Sequence, residues 1–250
     1  MKIQIFIAIS ILVVLIIRLY YLIQNDLIQN ENFNNQSKNY QGLNRVEMIG
    51  FINLDNRPDR LKLIENQLRS HDIDRYKIKK FPGHYTPKNG HIGCARSHLD
   101  VLEYANQNNL KNILILEDDF QFAGNPKETH QTLNKFFDQI PSDEWDVVFL
   151  THGYGKLSPT AVPFLNKIND AVCGAGYLVN QHYYPQMIAN LEESLANLRE
   201  DIFEGQYCFD QLWHKLQAKD NWFFLIPPVG IHDFETKSTI LETLPEPEKK

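Results

Sequence analysis

The octapeptide Ile113-Leu114-Ile115-Leu116-Glu117-Asp118-Asp119-Phe120 runs four apolar residues straight into three carboxylates. A short apolar run of this kind predicts a strand buried on both faces, as in a parallel sheet. The acids then fall at the carboxyl end of that strand, where open α/β sheets bind ligands. Three adjacent carboxylates repel one another and are best tolerated where a cation offsets the repulsion. Side chains alternate along an extended backbone, so Glu117 and Asp119 are expected on one face and Asp118 on the other. Oxygens spaced in this way suit a hard divalent ion that also grips a phosphate. A solvated acidic turn is the competing reading of the same eight residues.

Working outward, strands alternate with helices. Met48–Leu54 reads as a first strand, Asp59–Ser70 as an amphipathic helix, Tyr76–Phe81 as a short strand and Pro82–Gly93 as a loop. Ala95–Asn106 reads as a second helix, with Leu99, Leu102 and Ala105 at apolar spacing. Beyond the acids the pattern predicts a helix over Lys127–Gln139, strands at Asp146–Leu150 and Ala171–Val179, and helices at Pro185–Leu198 and Phe209–Gln217. A last strand is expected at Trp222–Ile226. This alternation argues for an α/β fold whose sheet is mostly parallel, with flanking helices.

The ends of the chain differ from its middle. Ile3–Ile23 is apolar apart from Gln4, Ser10 and Arg18, and is long enough for one transmembrane helix if Arg18 snorkels to an interface. No small-residue cleavage site follows, so residues 1–23 are expected to be a retained anchor. Lys2 before the span and Asp26 and Glu31 after it favour a lumenal or extracytoplasmic main domain. Residues 24–45 are rich in Asn and Gln and read as a flexible tether, and residues 241–250 as a disordered tail. The globular domain is therefore expected over residues 46–240. A net charge of −6 makes a nucleic-acid partner unlikely on electrostatic grounds. Cys94, Cys173 and Cys208 are three in number and lack metal-site spacing, so free thiols are the default, with room for one bridge.

Four further segments carry chemistry. Asn53-Leu54-Asp55-Asn56-Arg57-Pro58-Asp59-Arg60 follows a strand and opens a helix, a place where anions bind; a surface turn with Asp–Arg pairs is the alternative. Gly93-Cys94-Ala95-Arg96-Ser97-His98 opens the second helix. It reads as capping with a buried imidazole, as a Cys–His pair, or as His98 bonding a sugar or a carboxylate. Asp210, at a helix start among aromatics, is either an acid favoured by the helix dipole or a general base for a hydroxyl. His232, after the last strand, is either a solvated loop residue or a nitrogen ligand to an oxygen-held metal.

In this order the segments resemble glycosyltransferase family 25, which includes lipopolysaccharide-type and procollagen-type galactosyltransferases. The matching pieces are Ile52–Arg60, Gly93–His98, Leu116–Asp119, Gly174-Ala175-Gly176-Tyr177-Leu178 and Phe209-Asp210, spanning about Glu47 to Ile240. The resemblance implies a GT-A-type, Rossmann-like fold, a UDP-sugar donor (typically UDP-galactose), a Mn²⁺ (or Mg²⁺) cofactor and an inverted product on a glycan or glycoprotein acceptor. It implies that Asn53, Arg57 and Arg60 belong to the donor pocket, and Leu54, Ser97, His98, Glu117 and Asp118 are further candidates for the same site. It implies that the Glu117-Asp118-Asp119 cluster is the metal-binding acidic motif. Asp119 and Asp118, with His232 read from its own chemistry, are the candidate metal ligands. The segment Ile231-His232-Asp233-Phe234 departs from the family pattern, and Asp210 is the candidate base that an inverting displacement needs. A catalytically inert, membrane-tethered binding protein of the same fold is the alternative from another class. A metal-dependent phosphotransferase or hydrolase is a third, disfavoured by the lack of a Walker-type loop or nucleophile elbow.

Overall fold

The computed structural model describes residues 41–151, 153–232 and 238–242. The expected anchor over 1–23, most of the tether and the tail beyond residue 242 lie outside the described residues. Among the described residues no helix is long and apolar enough to cross a membrane.

Ten strands and seven α-helices are described: β1 Met48–Asn53, α1 Pro58–Ser70, β2 Ile78–Pro82, α2 Gly90–Gln107, β3 Asn112–Glu117, β4 Phe120–Phe122, α3 Pro126–Gln139, β5 Val147–Phe149, β6 Gly155–Pro159, β7 Leu165–Ala171, β8 Gly176–Asn180, α4 Tyr184–Asn197, α5 Phe209–Leu212, α6 His214–Gln217, β9 Trp222–Leu225, β10 Gly230–His232 and α7 Thr239–Glu242. Eight strands form one sheet in the order β2-β1-β3-β8-β5-β9-β7-β6, and β4 and β10 pair separately. β1 runs parallel to β2 and β3, and β5 to β9, while β8 and β7 run against their neighbours. Six of the eight strands thus share a direction, which is the mostly parallel sheet that the alternation of elements predicts.

β3 is the buried strand that its composition demands. Ile113 and Ile115 pack into the core on one face of the sheet, and Leu114 and Leu116 into the core on the other. Each is at most 1% exposed, and burying such side chains contributes about 1.5–3 kcal/mol apiece. The chain leaves β1 to form β2 on one side, then crosses back through α2 to form β3 on the other. The carboxyl ends of β1 and β3 therefore flank the point where the strand order reverses, the position at which α/β sheets open a ligand crevice.

Several boundaries differ from the sequence reading. The tether ends earlier than residue 45, because Leu43 is wholly buried and its N–H donates to His130 Nδ1 at 3.3 Å. The second helix begins at Gly90, not Ala95. Asn89 caps it by accepting from the His91 N–H at 3.1 Å, a signal hidden within the Gly/Pro-rich stretch. The single strand expected over Ala171–Val179 is two, β7 and β8, separated by a turn in which Cys173 adopts φ +99°. The helix expected over Phe209–Gln217 is two single turns, α5 and α6.

His130 is a buried latch for the amino-terminal edge. Its Nε2 donates to the His71 carbonyl at 2.8 Å while Nδ1 accepts from Leu43. Burial holds both His130 and His71 below the usual imidazole range. The folded state thus favours their uncharged forms, so their contribution is present above the unfolded pKa of about 6.5 and is lost as pH falls. The stability advantage of the wild type over His130→Gln is expected to shrink between pH 7 and pH 5 in urea titrations. A constant difference would remove this role.

Candidate active site

The crevice between β1 and β3 holds a cavity of about 330 Å³. Every residue singled out from the sequence lines it: Asn53, Leu54, Arg57, Arg60, Ser97, His98, Glu117, Asp118, Asp119, Asp210 and His232. Topology explains the convergence. Register pairs Ile52 with Glu117, so Asn53, one step on, is level with Asp118. Asn53 Nδ2 donates to Asp118 Oδ2 at 2.8 Å. β8 enters the sheet antiparallel to β3, bringing its start, preceded by Cys173 and Gly174, to the same end. Gly174 is required there, since a Cβ would lie 2.7 Å from the Phe209 ring and 3.3 Å from Glu117 Oε1.

The three acids have different partners. Arg60, projecting from the first turn of α1, is almost fully buried and answers their repulsion: its Nη1 donates to Asp118 Oδ1 at 3.0 Å and to Asp119 Oδ2 at 2.9 Å. Asp118 is committed on both oxygens, to Asn53 and Arg60. Burial raises its pKa against the opposing pull of those two partners. For Asp119, burial also pushes upward, but the His232 hydrogen bond and charge and the Arg60 guanidinium outweigh it and hold the carboxyl below its usual range. His232 Nε2 lies 3.3 Å from Asp119 Oδ2; burial would lower its pKa, yet Asp119 raises it. Asp119 Oδ1 is buried without a hydrogen-bond partner among the described residues, as is Asn53 Oδ1.

Glu117 is held from behind. His98, fully buried, presents Nε2 to Glu117 Oε1 at 2.9 Å and Nδ1 to the Tyr177 hydroxyl at 2.8 Å. His98 therefore positions Glu117 by bonding its carboxylate, one of the outcomes its sequence left open. Ser97, expected at the donor, instead serves the backbone: its Oγ donates to the Gly93 carbonyl at 2.7 Å and accepts from the His84 N–H at 2.8 Å. The Cys–His reading falls, because burial and the Glu117 charge push the Cys94 thiol far above its usual range, while burial pushes Cys173 up to about 12. Neither sulfur is a thiolate near neutral pH.

One ligand atom each from Glu117, Asp119 and His232 lies within 4.8 Å of the others. Two carboxylates and an imidazole suit a manganese- or magnesium-type ion, and the orphaned Oδ1 of Asp119 is a donor atom with no other use. The residues fit a divalent ion: Asp119 and His232 of the expected set lie together with Glu117, while both oxygens of Asp118 accept from Asn53 and Arg60. A second group, Cys94, His98 and Glu117, overlaps the first, but its protonated thiol is a poor partner for such an ion.

Asp210 stands across the cavity at the start of α5. Its Oδ2 accepts from the Cys173 N–H at 3.3 Å. Burial, helped by the Glu117 charge, raises its pKa, while the Cys173 bond and His214 oppose. Residues with no motif in the sequence complete the lining, among them His84, Tyr85, Tyr154 and Thr239. Thr239 accepts from Arg57 Nη1 at 3.1 Å, and Asp59 accepts from Arg57 Nη2 at 2.8 Å.

Residues 77–199 match the family model of glycosyltransferase family 25 (LPS biosynthesis protein). Over that segment the chain is similar to glycosyltransferase family 25, and the match supports a glycosyltransferase. No curated protein matches it. Among solved structures it is similar to A197 from STIV, at 15% identity over 72% of this chain and 81% of that one, with a TM-score of 0.40. It is also similar to a glycosyltransferase involved in glycosylation of the major capsid of PBCV-1, at 11% identity, 78% and 97% coverage and a TM-score of 0.49. A mannose-1-phosphate geranyltransferase from Thermus thermophilus matches at 10% identity, 71% and 72% coverage and a TM-score of 0.40.

Proposed function

We propose that the chain is an inverting hexosyltransferase of GT-A type that moves a sugar, galactose first among candidates, from a UDP-sugar to a hydroxyl of a glycan or glycoprotein. One observation carries this reading: the acidic cluster, the Asn53–Arg60 segment and Asp210 line a single cavity at the switch point of the sheet. Asn53 Oδ1 is available to accept a hydrogen bond from the nucleoside, and Arg57 supplies positive charge at the rim. Arg60 pairs with both Asp118 and Asp119 and offsets their mutual repulsion. Glu117, Asp119 and His232 would hold the divalent ion, which when bound would offset charge on the leaving diphosphate.

Asp210 takes the acceptor proton as the hydroxyl oxygen bonds to the anomeric carbon. The bond from that carbon to the diphosphate oxygen breaks on the opposite face, and UDP leaves with the electron pair. A carboxyl whose pKa is raised by burial is better matched to this task near neutral pH than an exposed one.

The test is UDP release by the full chain with Mn²⁺ and a panel of UDP-sugars, with and without saccharide acceptors. Acceptor-stimulated release is expected, and its absence across the panel would remove the reading. The membrane anchor and the lumenal placement belong to the same proposal. Deleting Met1–Gln24 is expected to yield a soluble, active domain, whereas an insoluble, unfolded product would assign that segment to the core.

A further inference from the structure

The cavity also has lining residues that the donor chemistry leaves unused. Tyr85 and Tyr154 both line it, yet they are 54% and 69% exposed. Single exposed aromatics are ordinary on a protein surface. These two line one cavity, and hydrogen bonds fix the backbone that carries each.

Tyr85 lies between two pinned neighbours. The Gly83 N–H donates to the Asn53 carbonyl at 2.9 Å, and the His84 N–H to Ser97 Oγ at 2.8 Å. Thr86 Oγ1 donates to the Asn89 carbonyl at 2.7 Å. α2 closes on this loop at Gly93, where a Cβ would sit 2.1 Å from the His84 carbonyl oxygen. Tyr154 is fixed by two bonds flanking it, Gly153 N–H to the Val172 carbonyl at 3.0 Å and Val172 N–H to its own carbonyl at 3.1 Å. Gly155 follows at φ +156°, where a Cβ would strike the Asp170 carbonyl oxygen at 2.0 Å. The Tyr154 hydroxyl accepts from Gln211 Nε2 at 3.3 Å, and Gln211 adjoins Asp210 in the chain.

The polar groups beside these rings are few and oriented. His84, half exposed on the cavity wall, is held by Asp100 through Nε2 at 2.7 Å from Oδ2. Rigid aromatic faces with a small number of placed polar groups suit a sugar, which offers an apolar C–H face and a rim of hydroxyls. A lipid tail would need a longer apolar groove without the His84, Thr86 and Gln211 side chains.

The geometry points to Tyr85 and Tyr154 as the stacking walls of a carbohydrate acceptor subsite, with His84, positioned by Asp100, hydrogen-bonding an acceptor hydroxyl. The acceptor is thus a pyranose-bearing glycan that delivers a hydroxyl to Asp210. This rests on the transferase reading for its purpose, but its binding can be measured without the donor.

The experiment is saturation-transfer NMR on the full chain in detergent, with methyl β-galactoside, methyl α-glucoside and N-acetyllactosamine as probes and no donor present. Transfer to the ring protons of at least one glycoside is expected. Apparent affinity should fall about tenfold in Tyr85→Ala and in Tyr154→Ala, and persist in Tyr154→Phe, which keeps the ring. UDP binding in the presence of Mn²⁺ should be unchanged in all three. Saccharide binding that survives both alanine variants would overturn the subsite, as would the absence of any saccharide signal. Tyrosine-dependent saccharide binding without UDP-sugar turnover would sustain the subsite and remove the donor reading instead.

Discussion

Asp119→Asn is expected to lower cation-dependent transfer by about 10²–10³-fold or more, the scale seen when one element of transition-state charge stabilisation is lost. Asp119 is the member of the acidic cluster with a buried oxygen that no described group satisfies. It is also the one held below the usual carboxylate range, with His232 and Arg60 overcoming the burial that opposes them. The fold should survive the change, because Arg60 keeps its bond to Asp118. The measurement is turnover across a Mn²⁺ titration, with a thermal melt as control. Full activity in the variant would end the metal role. Asp118→Asn is the informative contrast. It disturbs the Asn53–Asp118–Arg60 network, so its main effect should fall on stability and donor affinity, not on the cation requirement.

The second large effect is Asp210→Asn. Turnover should drop about 10²–10⁴-fold, the usual contribution of a general base, while UDP affinity stays as it is. Asparagine retains an oxygen for the Cys173 N–H, so the local backbone need not move. The pH dependence makes the test specific. Only the ionised carboxylate accepts a proton, and burial raises the Asp210 pKa. Activity should therefore rise with pH along a limb lying above the ordinary aspartate value of about 3.9, then level off. That limb should vanish in the asparagine variant. An unchanged rate would discard Asp210 as the base.

Much of this site was legible because its pieces are local. β3 announced itself through four apolar residues with no polar interruption, and only a strand covered on both faces makes use of that. The Asn53–Arg60 segment was readable as a strand-to-helix junction because Pro58 suits a first helical turn. Three acids in a row implied a compensating cation, and Arg60 provides one, although its span of 58 residues to Asp118 is invisible to any local pattern.

What stayed hidden depends on alternatives that differ only in space. β6 and β7 lie in a stretch without clean alternation, and their place in the sheet is set by partners distant in sequence or at the edge, β7 against β9 and β6 against β7. Ser97 and His98 looked like site residues of equal standing. One bonds backbone and the other orients Glu117, because successive helical positions point in different directions. Tyr85 and Tyr154 carry no motif, and loop aromatics acquire meaning only when the fold brings them to one cavity.

The sequence by itself determined that this chain builds an α/β sheet with an acidic cluster at a strand end, because strand burial and alternation are properties of a few adjacent residues. The tertiary structure alone decided how the three carboxylates divide their work. Asn53 and Arg60 engage both oxygens of Asp118, His98 braces Glu117, and Asp119 Oδ1 is buried with no partner among the described residues. Which carboxylate oxygens find partners is settled by groups from distant parts of the chain, which no local pattern encodes.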